Sequence, residues 1–291
     1  MLKSEHIYRF MDDICLVDES QAILNRDFDL IQRLLGQKGL SINSAKTSSG
    51  KPDEFDSADE DINELKKKLL QRRREVIISH YDEIDEPEDE TSEQGEDLPP
   101  LTEQEIEFAT SLLASDHVTE EDAELVLIVM KDHVNRIKGH LNLFAERFPH
   151  LAKNFYLLCG EADDKEHVAD VVRDLLVSDS FVGEYQLFWF GMMLDRYLLD
   201  TSKAKDITSL LYDHANATDI TRAKILEIQD NRFGLPEFRE GFLREGRSDW
   251  LAWSSAVGSL ALGKDARNYL LGYFKNGSVM NALVADILET M

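Results

Sequence analysis

From Thr102 onward, apolar positions recur every three to four residues, the period of helices that each bury one face. Thr102-Glu103-Gln104-Glu105 has the form of a capping box, with Thr102 as cap and Glu105 reaching back, and Ile106, Ala109, Leu112 and Leu113 follow at helical spacing. Thr119-Glu120-Glu121-Asp122 opens the next helix in the same way, ahead of Leu125, Ile128 and Val129. The pattern predicts further helices over 136–147, 150–159, 165–178, 181–199, 203–215, 218–230, 235–245, 248–262, 264–275 and 277–290. Such a succession with short connections describes an irregular bundle or an α-solenoid, and the similar helix pair at 249–262 and 266–274 favours the solenoid. The segment 185–199 is apolar nearly all round (Leu187, Phe188, Trp189, Phe190, Met192, Met193, Leu194), which predicts a central, buried helix.

The first forty-seven residues follow another rhythm. Ile7-Tyr8-Arg9-Phe10 and Ile14-Cys15-Leu16-Val17 are short strand patterns, and Met11-Asp12-Asp13 between them leaves room only for a tight hairpin. Adjacent carboxylates at such a turn repel each other and persist in water or around a cation. An amphipathic helix follows from about Ser20 to Gly36, with Leu24, Phe28, Ile31 and Leu35 on one face. Residues 48–100 are polar and biased toward Pro, Gly, Ser, Asp and Glu, with one helix expected near 59–81. Pro99-Pro100 cannot continue a helix and marks a boundary. The expected organisation is α+β, mostly α: residues 1–47, a linker over 48–100, and a helical domain over 101–291.

Composition narrows the picture. The chain has 291 residues, 43% hydrophobic, which is enough for a substantial core, and a formal net charge of −25. Residues 82–107 hold thirteen of the acidic side chains and no Lys or Arg, directly after the cations of Lys66-Lys67-Lys68 and Arg72-Arg73-Arg74. The overall charge therefore does not decide whether nucleic acid is a partner. No apolar run reaches the roughly 20 residues of a membrane helix. Two cysteines, Cys15 and Cys159, give no disulfide framework and fit a reducing, cytoplasmic setting.

Tyr8-Arg9-Phe10-Met11-Asp12-Asp13-Ile14 resembles the Tyr-x-Asp-Asp hairpin of reverse transcriptase palms, in the variant with Phe at the first position. The helix that follows, and then Lys38-Gly39-Leu40-Ser41-Ile42-Asn43-Ser44-Ala45-Lys46-Thr47, are similar to the family's next block, Gly-Leu-x-x-Asn-x-x-Lys-Thr. The resemblance implies that Asp12 and Asp13 are catalytic ligands of Mg2+, that Lys46 is a general acid toward the departing pyrophosphate, and that Phe10 and Met11 line the nucleotide and primer end. It implies dNTPs and nucleic acid as partners.

It covers about one sixth of the chain. A complete palm also needs an upstream aspartate and nucleotide-gripping fingers, and the chain begins ten residues before the hairpin. The expectation is a partial palm, the C-terminal portion of an RNA-directed DNA polymerase, inactive alone and completed by an upstream segment. A long helical region after the palm resembles the abortive-infection, phage-defence reverse transcriptases, whose helical, HEAT-like part helps form the nucleic-acid channel or a homo-oligomer. The alternative is a non-enzymatic helical-repeat scaffold carrying a vestigial palm fragment.

Other candidates have plainer explanations. The Lys66–Arg74 cluster is expected to be a solvated face balanced by Glu64, Glu75 and the acidic linker. His133 and His140 share helical sequence without a completing ligand, and both cysteines are expected to be small buried hydrophobes. Trp189, Trp250 and Trp253 are expected in the core, and Arg239, Arg244 and Arg247 form a second modest basic group.

Overall fold

The alternation in residues 7–17 produces two antiparallel strands, β1 (His6–Phe10) and β2 (Asp13–Val17), and these form the only sheet among the described residues. The computed structural model describes residues 2–10, 13–38, 42, 65–73, 99–114 and 118–291. In the ladder His6 faces Val17, Tyr8 faces Cys15 and Phe10 faces Asp13. Helix α1 (Gln21–Gly36) follows at once. The turn into it is held by Asp18, whose carboxylate accepts from the Ser20 amide at 2.8 Å and from the Glu5 amide at 3.0 Å. One side chain thereby ties the end of β2 to the residue before β1.

A short helix, α2 (residues 65–73), precedes the long helical region. There come α3 (Glu103–Leu113), α4 (Glu120–Val129), α5 (Val134–Ile137), α6 (Leu141–Arg147), α7 (Ala152–Gly160) and α8 (Lys165–Val177). Then follow α9 (Glu184–Met193), extended by a π-turn over Leu194–Leu198, α10 (Ala204–Asp213) and α11 (Asp219–Leu226). The chain closes with α12 (Leu235–Glu245), α13 (Trp250–Gly258), α14 (Lys264–Phe274) and α15 (Val279–Thr290). The molecule is thus mostly helical with one small antiparallel sheet. Among the described residues no helix is long and apolar enough to cross a membrane.

Capping fixes the helix starts as the sequence implies. Thr102 accepts from the Glu105 amide, and the Glu105 side chain accepts from the Thr102 amide at 2.8 Å. Thr119, Asp164, Thr218, Asp249 and Ser278 cap α4, α8, α11, α13 and α15, each accepting one backbone amide of the first turn without the reciprocal bond. Each cap satisfies an amide that the helix itself leaves unbonded.

Packing runs in two interleaved series. Helix α7 packs on α9, α9 on α11, α11 on α13 and α13 on α15, while α6 packs on α8, α8 on α10 and α12 on α14. From α6 onward most helices therefore meet the second one along the chain, with the second series interrupted between α10 and α12. One continuous apolar core threads α3 to α12 through Ile106, Leu125, Phe144, Phe155, Val172, Phe190 and Leu211. Helix α9 lies at its centre, with Leu187, Phe190, Met193 and Leu194 fully buried. A separate cluster of Leu243, Ala256, Leu271, Phe274 and Leu288 joins α12 to α15. Helix α2 belongs with the array, because its Leu69 is fully buried in the larger core.

Several placements differ from the sequence reading. Cys15 is exposed, because no layer covers its face of the hairpin, whereas Cys159 is buried as expected and burial pushes its thiol far up. Trp250 is 69% exposed at the first turn of α13, and its ring meets Trp253 edge-on at 5.4 Å instead of entering the core. The three arginines do not form a group. Arg244 pairs with Glu240 beneath Tyr269 and Tyr273, Arg247 pairs with Asp249, and Arg239 is buried at 1% exposure.

Arg239 is held by backbone. Its Nε donates to the Leu226 carbonyl at 2.8 Å, Nη1 to the Asp230 carbonyl at 3.0 Å, and Nη2 to the Ile228 carbonyl. These oxygens lie at the end of α11 and just beyond, where the helix leaves carbonyls unbonded. Gly258 of α13 passes so close that a Cβ there would run into the Leu226 carbonyl and the guanidinium. Burial lowers the Arg239 pKa to about 10, so the side chain is still charged at neutral pH.

Candidate functional site

The hairpin is the site that the sequence singles out. Phe10 and Asp13 face each other as the last ladder pair, so Met11 and Asp12 are the two residues between the strands. Asp13 is thus the first residue of β2. Met11, Asp12 and Lys46 lie outside the described residues, and for Phe10 and Asp13 the backbone alone is described. The carboxylate pair therefore flanks the junction of a two-residue connection with an antiparallel ladder.

What surrounds this ladder is more informative. On one face Ile7 and Ile14 are 44% and 43% exposed, and on the other Tyr8 and Val17 are 60% and 41% exposed. A two-stranded hairpin is marginal on its own, and apolar β-branched and aromatic side chains on both faces suit a strand pair inside a larger sheet.

The unit holds together through α1. Asp27 is fully buried and gathers the Ser4 amide at 2.6 Å, the Ser4 hydroxyl at 2.8 Å, the Lys3 amide and the Arg26 guanidinium. Burial alone would raise its carboxyl pKa; the hydrogen bonds from Arg26, Ser4 and Lys3 outweigh that and hold it well below the usual carboxylate range. The lead-in to β1 is therefore clamped to α1 by a charge.

Two further residues of α1 reach the helical array. Phe28 meets the His150 ring edge-on at 6.4 Å, and the Asp29 carboxylate lies against Gly183, just before the first turn of α9. Burial raises the Asp29 pKa against the attraction of Arg33, which bridges to it at 2.8 Å. The space beside this carboxylate is small, since a Cβ at Gly183 would come within 2.9 Å of Asp29 Oδ1. The side chain of Glu184 turns the other way and accepts from both the amides and the hydroxyls of Thr218 and Thr221, at 2.6–3.0 Å.

Asp27 and Asp29 escape sequence reasoning because an acid beside an apolar stripe normally marks the solvent edge of a helix. The only hint is their position on either side of Phe28, within the stripe of Leu24, Phe28 and Ile31.

Two cations of the basic helix are paired by the array. Lys66 pairs with Asp122 at 2.7 Å and Arg73 with Glu124 at 2.8 Å, while Arg72 donates to the Pro99 carbonyl. Acids of α4 thus balance two of these cations, because burial of Leu69 lays α2 along that helix, and Glu64, Glu75 and the acidic linker lie outside the described residues. Among the described residues no group of three or more His, Cys, Asp or Glu is arranged to hold a metal ion, and His133 and His140 bring no such cluster together.

No protein-family model, curated protein or solved structure matches the chain.

Proposed function

We propose that this chain is the C-terminal portion of a magnesium-dependent, RNA-directed DNA polymerase of the phage-defence type. Its N-terminal unit contributes part of the palm, and its helical array acts as a solenoid-like scaffold for nucleic acid or for further copies. The observation that carries the reading is the hairpin itself. Its antiparallel ladder ends on the Phe10–Asp13 pair, and apolar side chains stand open on both of its faces. Open faces of this kind call for further strands and a covering layer, which an upstream polymerase segment would supply.

In that assembly Asp12 and Asp13 would hold Mg2+, a hard cation whose preference for oxygen ligands matches two carboxylates. Bound there, the ion supplies charge stabilisation to the attacking and leaving oxygens of nucleotide transfer. Lys46 would protonate the departing pyrophosphate, and Phe10 and Met11 would line the nucleotide and primer end. The alternation of helix contacts supports the solenoid-like reading of the array.

The test is reconstitution. The chain is supplied with an upstream polymerase segment carrying the remaining palm strands and their aspartate, and incorporation of labelled dNTPs is measured with and without Mg2+. The expected result is Mg2+-dependent incorporation, abolished by Asp12→Ala with Asp13→Ala and strongly reduced by Lys46→Ala. Incorporation that is indifferent to the double substitution defeats the assignment. The second reading, a scaffold with a vestigial palm fragment, is favoured by the continuous core of the array, to which no described side chain of the hairpin contributes. It predicts no incorporation in any reconstitution.

A further inference from the structure

Helix α15 has the composition of a buried helix and only one buried face. Asn281, Ala285 and Leu288 face inward, against α13 and α14. On the outer side Val279, Met280, Leu283, Ile287 and Met291 are each more than half exposed. Leu283 and Ile287 continue Val279 at intervals of four residues, the ridge by which helices interlock with a partner. Trp253 donates to Asn281 at 3.0 Å and carries Trp250 beside it, so the exposed indole lies near the start of α15.

The strip is rigidly mounted. The buried Asn281 donates to the carbonyls of Gly246, Arg247 and Phe274 and accepts from Trp253 and Ser278. Every polar atom of its side chain is engaged, and the ordering cost of a contact on the outer face is correspondingly low.

Charge selects the occupant. Helix α15 contains no Lys or Arg, and Lys275 beside it is taken up by Asp286 and Glu289. Neither a phosphate backbone nor an anionic membrane finds a cation along this strip, so the surface suits protein. The five side chains and Trp250, each more than half exposed, form one apolar strip that can supply the centre of a standard interface of ~800 Å² per partner. Because the ridge is uncharged and evenly spaced, it is complementary to its own image across a two-fold axis.

We propose that α15 is the interface of a two-fold homodimer of this chain, with Leu283 and Ile287 at its centre. The polymerase assignment is not needed for it, and the oligomeric state is measured on the chain alone.

Sedimentation of the full chain over a range of concentrations tests the proposal. A dimer is expected, and Leu283→Glu or Ile287→Glu should weaken it about tenfold or more. Ile220→Glu, at a 62% exposed apolar site on α11, should leave it intact. Added salt should strengthen the dimer by screening the repulsion between two copies of net charge −25. Leu283→Cys in a Cys15→Ser background should form an interchain disulfide under mild oxidation. A monomer at every concentration overturns the proposal. So does a dimer that survives both glutamate substitutions, or one that forms no disulfide through position 283.

Discussion

The hairpin unit and the helical array are held together by opposite means. In the array, apolar side chains from successive helices merge into one large core and smaller clusters beside it, and Phe144, Phe155 and Phe190 are almost wholly withdrawn from water. In the hairpin unit, the buried anchors are Asp27 and Ile31, and most of the strands' apolar surface remains open. One region is stabilised by burial, which is additive and tolerant of pH. The other depends on a charged clamp, which is local and titrates. The difference separates a helical region with a large core of its own from a strand pair whose apolar faces stand open.

The sharpest way to separate the two regions is to damage the core. Phe190→Ala should cost about 3–5 kcal/mol through lost burial and the cavity left behind, read as a fall in the urea midpoint of the array's helical signal. Arg239→Met should cost about 2–4 kcal/mol, because it leaves the Leu226 and Asp230 carbonyls without their side-chain donor and the Ile228 carbonyl with the Asp230 amide alone. Circular dichroism melts check both, and both should act on the whole array.

Asp27→Asn should act on the hairpin unit alone. It removes the charge that gathers the Lys3 and Ser4 amides and should cost about 2 kcal/mol locally. Hydrogen exchange should show the amides of residues 3–10 losing protection while those of α9 keep theirs. Acid should reproduce the effect in the unaltered chain. Folding depresses the Asp27 pKa, so its contribution is complete above the unfolded carboxylate pKa of about 4 and disappears as pH falls through the folded value. Protection of residues 3–10 that persists at low pH would blur the contrast between the two regions.

Much of this architecture is legible in the residue pattern, for identifiable reasons. Helical periodicity with polar caps finds nearly every element of the array, and the Thr102–Glu105 box forms as its spacing implies. Alternation finds both strands, because Ile7 to Val17 leaves too few residues for anything but a hairpin. The failures share a cause: a side chain's type does not disclose what stands opposite it. Arg239 reads as a surface cation until the chain turns three carbonyls toward it. Trp250 reads as core because nothing in its sequence context shows that its face of α13 is uncovered. Helix α2 reads as linker because a single leucine, Leu69, decides that it joins the core. Of the candidate site, the ladder beside Asp13 and the helix that backs it were legible, whereas the roles given to Asp12, Asp13 and Lys46 rest on resemblance.

Asp29 and Glu184 meet back to back at the start of α9, and this junction has a mechanical meaning. Asp29 of α1 lies against Gly183, and the Glu184 carboxylate one residue on grips Thr218 and Thr221 at the start of α11. Tilting α1 therefore presses on a turn whose next residue is fastened two helices away. The N-terminal unit bears on the middle of the molecule at this one point, where a Cβ at Gly183 would stand 2.9 Å from Asp29 Oδ1.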